Sequence, residues 1–361
     1  MEERKLASIQ EVREILPIDG ADRIEVVVIN NWKVVSKKGE HQVGDLVVYC
    51  EIDSFLPIRE EFEFLRKSSF KRMADGKEGF RLRTIKLRKQ ISQGLVLPLD
   101  ILSGAGNDPI STEEGTDVSA YLNIVKWDPP VPAQLAGKAK GYFPAFIKKT
   151  DEERIQNLTR EYPEWVKRGD SFYLTEKLDG SSATYYFRDG VFGACSRNLE
   201  LKEPETEFVE KMVMCDDGVE RKTQENSFWK VARELGLKEK LSKFGKNISV
   251  QGELIGEGIQ KNPYLIKGQS VRFFNIFNID TGEYYDLSDF LETTEKLGLV
   301  TVPFIEFNFQ LPETIDDLIS LADGKSLLNN KVNREGIVIR SNDRTISFKA
   351  ISNNFLLKAK D

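Results

Sequence analysis

The stretch whose residue types and spacing point most directly to chemistry is Lys177-Leu178-Asp179-Gly180. A lysine two residues before an aspartate, followed by a glycine, is short, and taken alone it is equally a polar turn after a strand. Its setting adds meaning. Ser171-Phe172-Tyr173-Leu174-Thr175 alternates as a strand running into the lysine, and Ser182-Ala183-Thr184-Tyr185-Tyr186-Phe187 reads as a second strand leaving it. A lysine at such a strand end can sit at the mouth of a cleft. There a deprotonated ε-amine can attack a phosphorus atom. An unperturbed lysine titrates at about 10.4, so the attack requires surroundings that favour the neutral amine.

Four further stretches follow in order. They are Ser196-Arg197-Asn198, Gly252-Glu253-Leu254-Ile255-Gly256, Glu335-Gly336-Ile337-Val338-Ile339 and Ser347-Phe348-Lys349-Ala350. Each is weak alone. The ordered set resembles the covalent nucleotidyltransferases: RNA ligases, DNA ligases and mRNA capping enzymes. The resemblance implies that Lys177 takes AMP from ATP. Asp179, Glu253 and Glu335 would hold a Mg²⁺ or Mn²⁺ ion through water, depressing the lysine pKa and neutralising charge on the α-phosphate. Lys349 would pair with that phosphate as a point charge. Arg197 and Glu253 would bond the ribose hydroxyls, Phe274 would stack on the base, and Glu176 would belong to the same nucleotide pocket. Each carboxylate is otherwise a surface ion pair. Glu253 and Glu335 adjoin glycines beside apolar strands, where a buried acid needs a partner.

The elements that must position these residues divide the 361-residue chain into two expected domains, 1–125 and 126–361. The first reads as short strands and turns: Ile24–Ile29, Trp32–Val35 and Asp45–Tyr49, with a turn over Gly39–Gly44. That density suggests a small antiparallel barrel. Pro17–Ile24 with Val43-Gly44-Asp45 resembles tRNA-binding OB-type domains. The expected fold class is α+β: an N-terminal OB-type β-barrel, then a ligase-type nucleotidyltransferase domain of antiparallel sheets with peripheral helices.

The formal charge is −6, so the chain as a whole carries no basic signature, but residues 66–90 carry a local net of +8. Within them Phe80–Arg88 alternates cations with apolar residues. On one strand this would set Arg81, Arg83, Lys86 and Arg88 on a single face as an RNA-tracking surface. The same pattern also fits a solvated edge strand whose charges deter aggregation. The connector beyond it is small and polar from Gly104 to Asp117 and holds Pro129, Pro130 and Pro132. Lys149–Leu158 has helix-start chemistry, with Thr150 or Asp151 as the N-cap. It also resembles a stretch in one RNA ligase clade whose arginine serves the ATP phosphates, a role that falls on Arg154. Residues 202–245 are expected to be mostly helical. Asp289–Leu297 and Thr314–Leu321 are expected to be peripheral helices.

Cys50, Cys195 and Cys215 are too far apart in sequence for a C-x-x-C zinc site and fit buried thiols in a reducing compartment. His41, the single histidine, lies in a polar turn and is expected at the surface. Its isolation argues against histidine-based catalysis. The start lacks an apolar signal region, and no run of eighteen apolar residues occurs, so a cytoplasmic, membrane-free monomer is expected.

Across nearly the whole chain the order of parts resembles the ATP-dependent RNA ligase clade with an OB-type domain before the adenylyltransferase domain. Phe80–Leu87 and Ser92-Gln93-Gly94-Leu95 also carry that likeness. DNA ligases and capping enzymes place an OB domain after the catalytic one, and only twelve residues follow Lys349. One departure is that such ligases often end on K-x-K, whereas Ser347 and Ile351 flank Lys349; Lys358 is the candidate substitute. The resemblance implies sealing of 3′-OH/5′-phosphate breaks in RNA, nicks in duplexes above all. The alternatives are a capping-type nucleotidyltransferase and a non-catalytic OB-type RNA-binding protein.

Overall fold

The computed structural model describes residues 4–73, 75–104, 110–128, 137–204 and 226–358. The three connector prolines, Cys215 and the expected helical stretch over 205–225 lie outside the described residues.

The N-terminal part is built on a five-stranded antiparallel sheet, in spatial order Leu95–Pro98, Leu46–Cys50, Ala7–Pro17, Ile24–Ile29 and Trp32–Lys37. Ala7–Pro17 pairs with Leu46–Cys50 through its first half and with Ile24–Ile29 through its second, and its register shifts between Val12 and Glu14. A long strand that changes partners across a bulge curls the sheet towards a half-barrel. Val27, Ile29 and Trp32 fill one side of the curl, while Val26 and Val28 pack with Ile18 on the other. A four-stranded sheet stands beside it, in order Val125–Lys126, Ser54–Pro57, Glu78–Arg81 and Phe70–Arg72. This matches the expected OB-type architecture.

Two local expectations fail here. Phe80–Arg88 is not one strand. Arg81 ends Glu78–Arg81, while Lys86 lies in Thr84–Leu87, a separate hairpin with Gln90–Gln93. Arg88 and Lys89 both take positive φ (47° and 69°) to make the hairpin turn. A two-stranded hairpin has no core of its own, so Ile85 and Leu87 are 44% and 40% exposed rather than buried beneath a row of cations. His41 is buried, because the Gly44 N–H donates to the Val12 carbonyl and lays the turn back on the sheet.

The C-terminal part holds two further sheets. One has seven strands: Ala139–Tyr142, Leu199–Leu201, Val191–Cys195, Ser181–Arg188, Ile248–Gly256, Gln269–Asn278 and Glu283–Tyr284. Ser227–Glu234, Leu237–Phe244 and Leu287–Leu297 are helices whose apolar faces cover it, Phe228, Trp229, Leu241 and Phe290 packing on Tyr185, Val250 and Phe273. The other has five strands: Glu153–Arg154, Ser347–Ile351, Gly336–Ser341, Ser171–Lys177 and Phe304–Gln310. Helices Glu161–Arg168 and Ile315–Ala322 cover this one, around Phe172, Ile337, Ile339 and Phe348. The N-caps of two helices are satisfied by side chains, Thr314 accepting from Asp317 N and Asp286 from Asp289 N.

No helix starts at Thr150 or Asp151. Glu153–Arg154 instead pairs in parallel with Phe348–Lys349, and Ile155–Asn157 makes a single 3₁₀ turn before the helix Glu161–Arg168. Pairing onto the sheet and the complete burial of Ile155 outweigh the local start signal. Cys50 and Cys195 are buried and free, as expected. Among the described residues no helix is long and apolar enough to cross a membrane.

Candidate active site

The chain passes from the five-stranded to the seven-stranded sheet through Leu178-Asp179-Gly180, between Ser171–Lys177 and Ser181–Arg188. The motif is thus the crossing point of the two sheets. Antiparallel register sets Lys177 opposite Gly336, the residue after Glu335. The Lys177 Nζ lies 2.7 Å from Glu335 Oε1. Gly336 is required by close approach: a Cβ there would fall 2.3 Å from the Ala350 carbonyl oxygen. Gly180 answers the same constraint, since its Cβ would lie 2.5 Å from the Leu254 carbonyl oxygen and 2.8 Å from Glu253 Cγ. The turn after the lysine is therefore pressed against the strand that carries Glu253.

Around the amine the electrostatics are those of crowded acids. Burial alone would lower the Lys177 pKa, but Glu335, Glu253 and Asp179 outweigh it and hold the group above the usual lysine value. Burial pushes the Glu253 carboxyl up to about 8; Lys177 opposes that shift, while Glu335 and Asp179 reinforce it. Asp179 rises to about 6 through burial and the negative charge of Glu335. Among the described residues no three His, Cys, Asp or Glu side chains are placed to hold a metal ion. The donor set nonetheless suits a hydrated divalent ion. It is all carboxylate oxygen, the chemistry Mg²⁺ and Mn²⁺ prefer, and it is short of positive charge.

A second cluster has the opposite sign. Lys349 pairs across the backbone with Val338 on one side and Arg154 on the other. Burial, then Arg154, Lys177 and Arg4, bring the Lys349 amine down to about 7. Arg154 is buried, which lowers its pKa too. It donates to Asp53 Oδ2 at 3.1 Å and lies over the Trp32 ring, 5.8 Å from its centroid. Its Nε and Nη1 have no partner. A buried guanidinium with spare donors is the form of a phosphate-binding group. Arg4 is paired with Glu51, and the Asn157 side-chain amide donates to Glu51 at 2.6 Å. Arg4, Glu51 and Asp53 come from the N-terminal part, a contribution not foreseen in the sequence.

The remaining expected residues fall around these clusters. Arg197 is exposed and donates to Asp151 Oδ1 at 2.8 Å, and Lys126 reaches Asp151 Oδ2 at 3.0 Å. Burial would raise the Asp151 carboxyl, yet Arg197 and Lys126 hold it well below the usual range. Phe274 is half-buried against Leu178, Ile255, Tyr264 and Val302, and the Arg340 guanidinium stands 5.7 Å from its ring centroid. Arg340 is itself fixed by Glu152 at 2.9 Å. The Glu176 carboxylate binds backbone instead, accepting from the Leu327 N–H at 2.7 Å, and burial raises its pKa. Lys358 is exposed at the end of the last helix, Asn353–Lys358. Of the four basic residues assigned to RNA, Arg81 meets Asp53 at 3.5 Å and lies over Trp127. Arg83 is half-buried, and Lys86 and Arg88 are exposed on the hairpin.

Comparison with known proteins gives the family and the fold. Residues 170–360 match the family model described as RNA ligase, and residues 6–99 match one described as an OB-fold domain. Solved structures of Naegleria gruberi RNA ligase superpose over the whole length. An aspartate-to-alanine variant without ligand has TM-score 0.85 and 38% identity, covering 99% of this chain and 98% of that one. A lysine-to-methionine variant with AMP and Mn has TM-score 0.85 and 39% identity, over 99% and 100%. A lysine-to-alanine variant with ATP and Mn has TM-score 0.84 and 38% identity, over 98% of each. No curated protein matches the chain.

Proposed function

Because the chain belongs to the RNA ligase family, we propose that it is an ATP-dependent RNA ligase that carries AMP on Lys177 and seals 3′-OH/5′-phosphate breaks, chiefly duplex nicks. The observation that carries this reading is the placement of one lysine, Lys177, against Glu335, Glu253 and Asp179, with Lys349 and Arg154 forming a separate cationic group. The relatives solved with ATP or AMP and Mn support the choice of nucleotide and ion.

In the first step the Lys177 Nζ attacks the α-phosphorus of ATP. An N–P bond forms as the bond to pyrophosphate breaks. In the second, a 5′-phosphate oxygen takes the AMP and Lys177 leaves. In the third, the 3′-OH attacks that 5′-phosphate and AMP departs.

Each step sets a demand on the chain's own residues. Lys177 must shed its proton, and Glu335 is the base within hydrogen-bond reach. Lys349 and Arg154 bind phosphate oxygens and orient the leaving group. Phe274 stacks on the adenine, while Arg197 and Glu253 hold the ribose. A divalent ion, when bound, would be held through water by Asp179, Glu253 and Glu335 and would supply positive charge that favours the neutral form of Lys177. The N-terminal domain, which we take as residues 1–125, contributes Asp53 and Arg4 beside the phosphate-binding cations. Its hairpin cations Lys86 and Arg88, with Arg81 and Arg83, track the RNA backbone.

Sealing assays on nicked duplexes with RNA or DNA on each side of the nick test this reading. Joining that needs ATP and an RNA 3′-OH strand supports it. Absence of joining on every nick, or joining that needs GTP instead, overturns it.

A further inference from the structure

The loop between Gly256 and Gly268 follows directly on the strand that carries Glu253. Four of its residues, Gln260, Lys261, Asn262 and Leu265, take positive φ without being glycine (43°, 61°, 48° and 54°). Such a cluster of left-handed residues persists only where the surroundings dictate it. Here several contacts do. Asn262 clamps Ile266 through both ends of its side chain, Nδ2 donating to the Ile266 carbonyl at 2.8 Å and Oδ1 accepting from its N–H at 3.1 Å. The Asn329 side chain donates to the Pro263 carbonyl at 3.2 Å and ties the loop to the segment before Glu335.

The distorted loop delivers two side chains to the turn after Lys177. Tyr264 is buried with Leu178, Ile255 and Val302, and its Oη accepts from the Asp179 N–H at 2.6 Å. Gln260 Nε2 donates to the Gly180 carbonyl at 3.3 Å. On its other side the turn abuts Leu254 and Glu253 at Gly180. Leu178-Asp179-Gly180 is therefore held between the Glu253 strand and this loop.

We propose that Tyr264 is a positioning residue for adenylyl transfer, with Gln260 as its weaker companion. By fixing the Asp179 amide, Tyr264 sets the direction of the Asp179 carboxylate and the exit angle of Lys177 from its strand. Its hydroxyl engages the Asp179 amide, so it acts through that turn. This rests on the functional reading above. The pull on the amide acts on the rate of the chemical step, because small errors in nucleophile placement affect the transition state more than ATP binding.

Tyr264→Phe removes one oxygen and leaves the ring in its cluster. Single-turnover adenylylation, followed by protein mass across a range of ATP concentrations, separates rate from affinity. The expected result is a fall of roughly tenfold or more in the rate at saturating ATP, with the half-saturating ATP concentration within about twofold of wild type. Gln260→Ala, at an exposed position, should show the same split at about two- to threefold. It serves as the test should Tyr264→Phe fail to melt cooperatively. Wild-type rates at saturation, or a loss confined to ATP affinity or melting temperature, overturn the proposal. A wild-type protein that takes up no AMP overturns the ligase reading itself, and with it any role for Tyr264.

Discussion

Two neighbouring parts of the candidate active site are strained in opposite electrostatic senses. Around Lys177, half-buried acids crowd one another, and Glu253 and Asp179 move up to about 8 and about 6. Around Lys349, itself half-buried beside buried Arg154, cations crowd one another, and its amine moves down to about 7. Each cluster lacks the charge that the other has in excess, and Lys177 and Glu335, 2.7 Å apart, form an ion pair at their seam. On the proposed reading a metal–nucleotide complex would complement both, with its cation for the acids and its phosphates for the lysine and arginine. The contrast teaches that pKa shifts of opposite sign in adjacent groups can describe the missing substrate.

The largest expected effect is at the seam. Lys177→Ala should abolish ATP-dependent sealing while leaving joining of a nick that already carries AMP on its 5′-phosphate within reach of detection. Loss of both would give Lys177 a role beyond AMP transfer. Next is the acid cluster. Glu253→Ala should slow adenylylation by about 100-fold or more, as loss of one group orienting a metal site does. A change under about threefold would remove Glu253 from the site.

The two clusters should also differ in proton traffic. Binding of Mn²⁺ needs Glu253 ionised, so it should release protons and tighten as pH rises from about 6 to 8. Binding of pyrophosphate favours charged Lys349, so it should take protons up near pH 7.5. Calorimetry in buffers of different ionisation heat reads both signs; equal signs would erase the contrast. The stability consequences have opposite signs as well. The raised Glu253 pKa favours the folded state at low pH, and that contribution is lost as pH rises through about 8. The lowered Lys349 pKa favours folding at high pH, and that contribution is lost as pH falls towards about 7. Lys349→Met should accordingly flatten the pH dependence of stability above about 7, measured by denaturant unfolding. The smallest effect lies outside both clusters. Lys86→Ala should weaken nicked-RNA binding a few-fold and lower the salt slope by about 1.

The motif residues were picked out by their order along the chain, which resembles the covalent nucleotidyltransferases, since each motif alone is weak. Lys177, Glu335 and Lys349 come together through strand register, which the alternating apolar pattern encodes. What the sequence hid depends on distant parts of the chain. Asp53 meets Arg154 from 101 residues away, and Glu51 meets Asn157 from 106. Neither acid has a local pattern that marks it. The alternation over Phe80–Arg88 misled because period-two spacing says nothing of a break at Leu82-Arg83, where the chain changes sheets. The capping signal at Thr150 and Asp151 lost to sheet pairing by Glu153–Arg154. Tyr264 had one available cue: a polar, glycine-flanked loop immediately after Glu253.

Peptide mapping of the protein after incubation with ATP and Mn²⁺ tests the central claim most directly. The account predicts one AMP per chain, on the peptide that contains Lys177, with one pyrophosphate released for each. An unmodified chain, or AMP found on Lys349 or any other lysine, would contradict it.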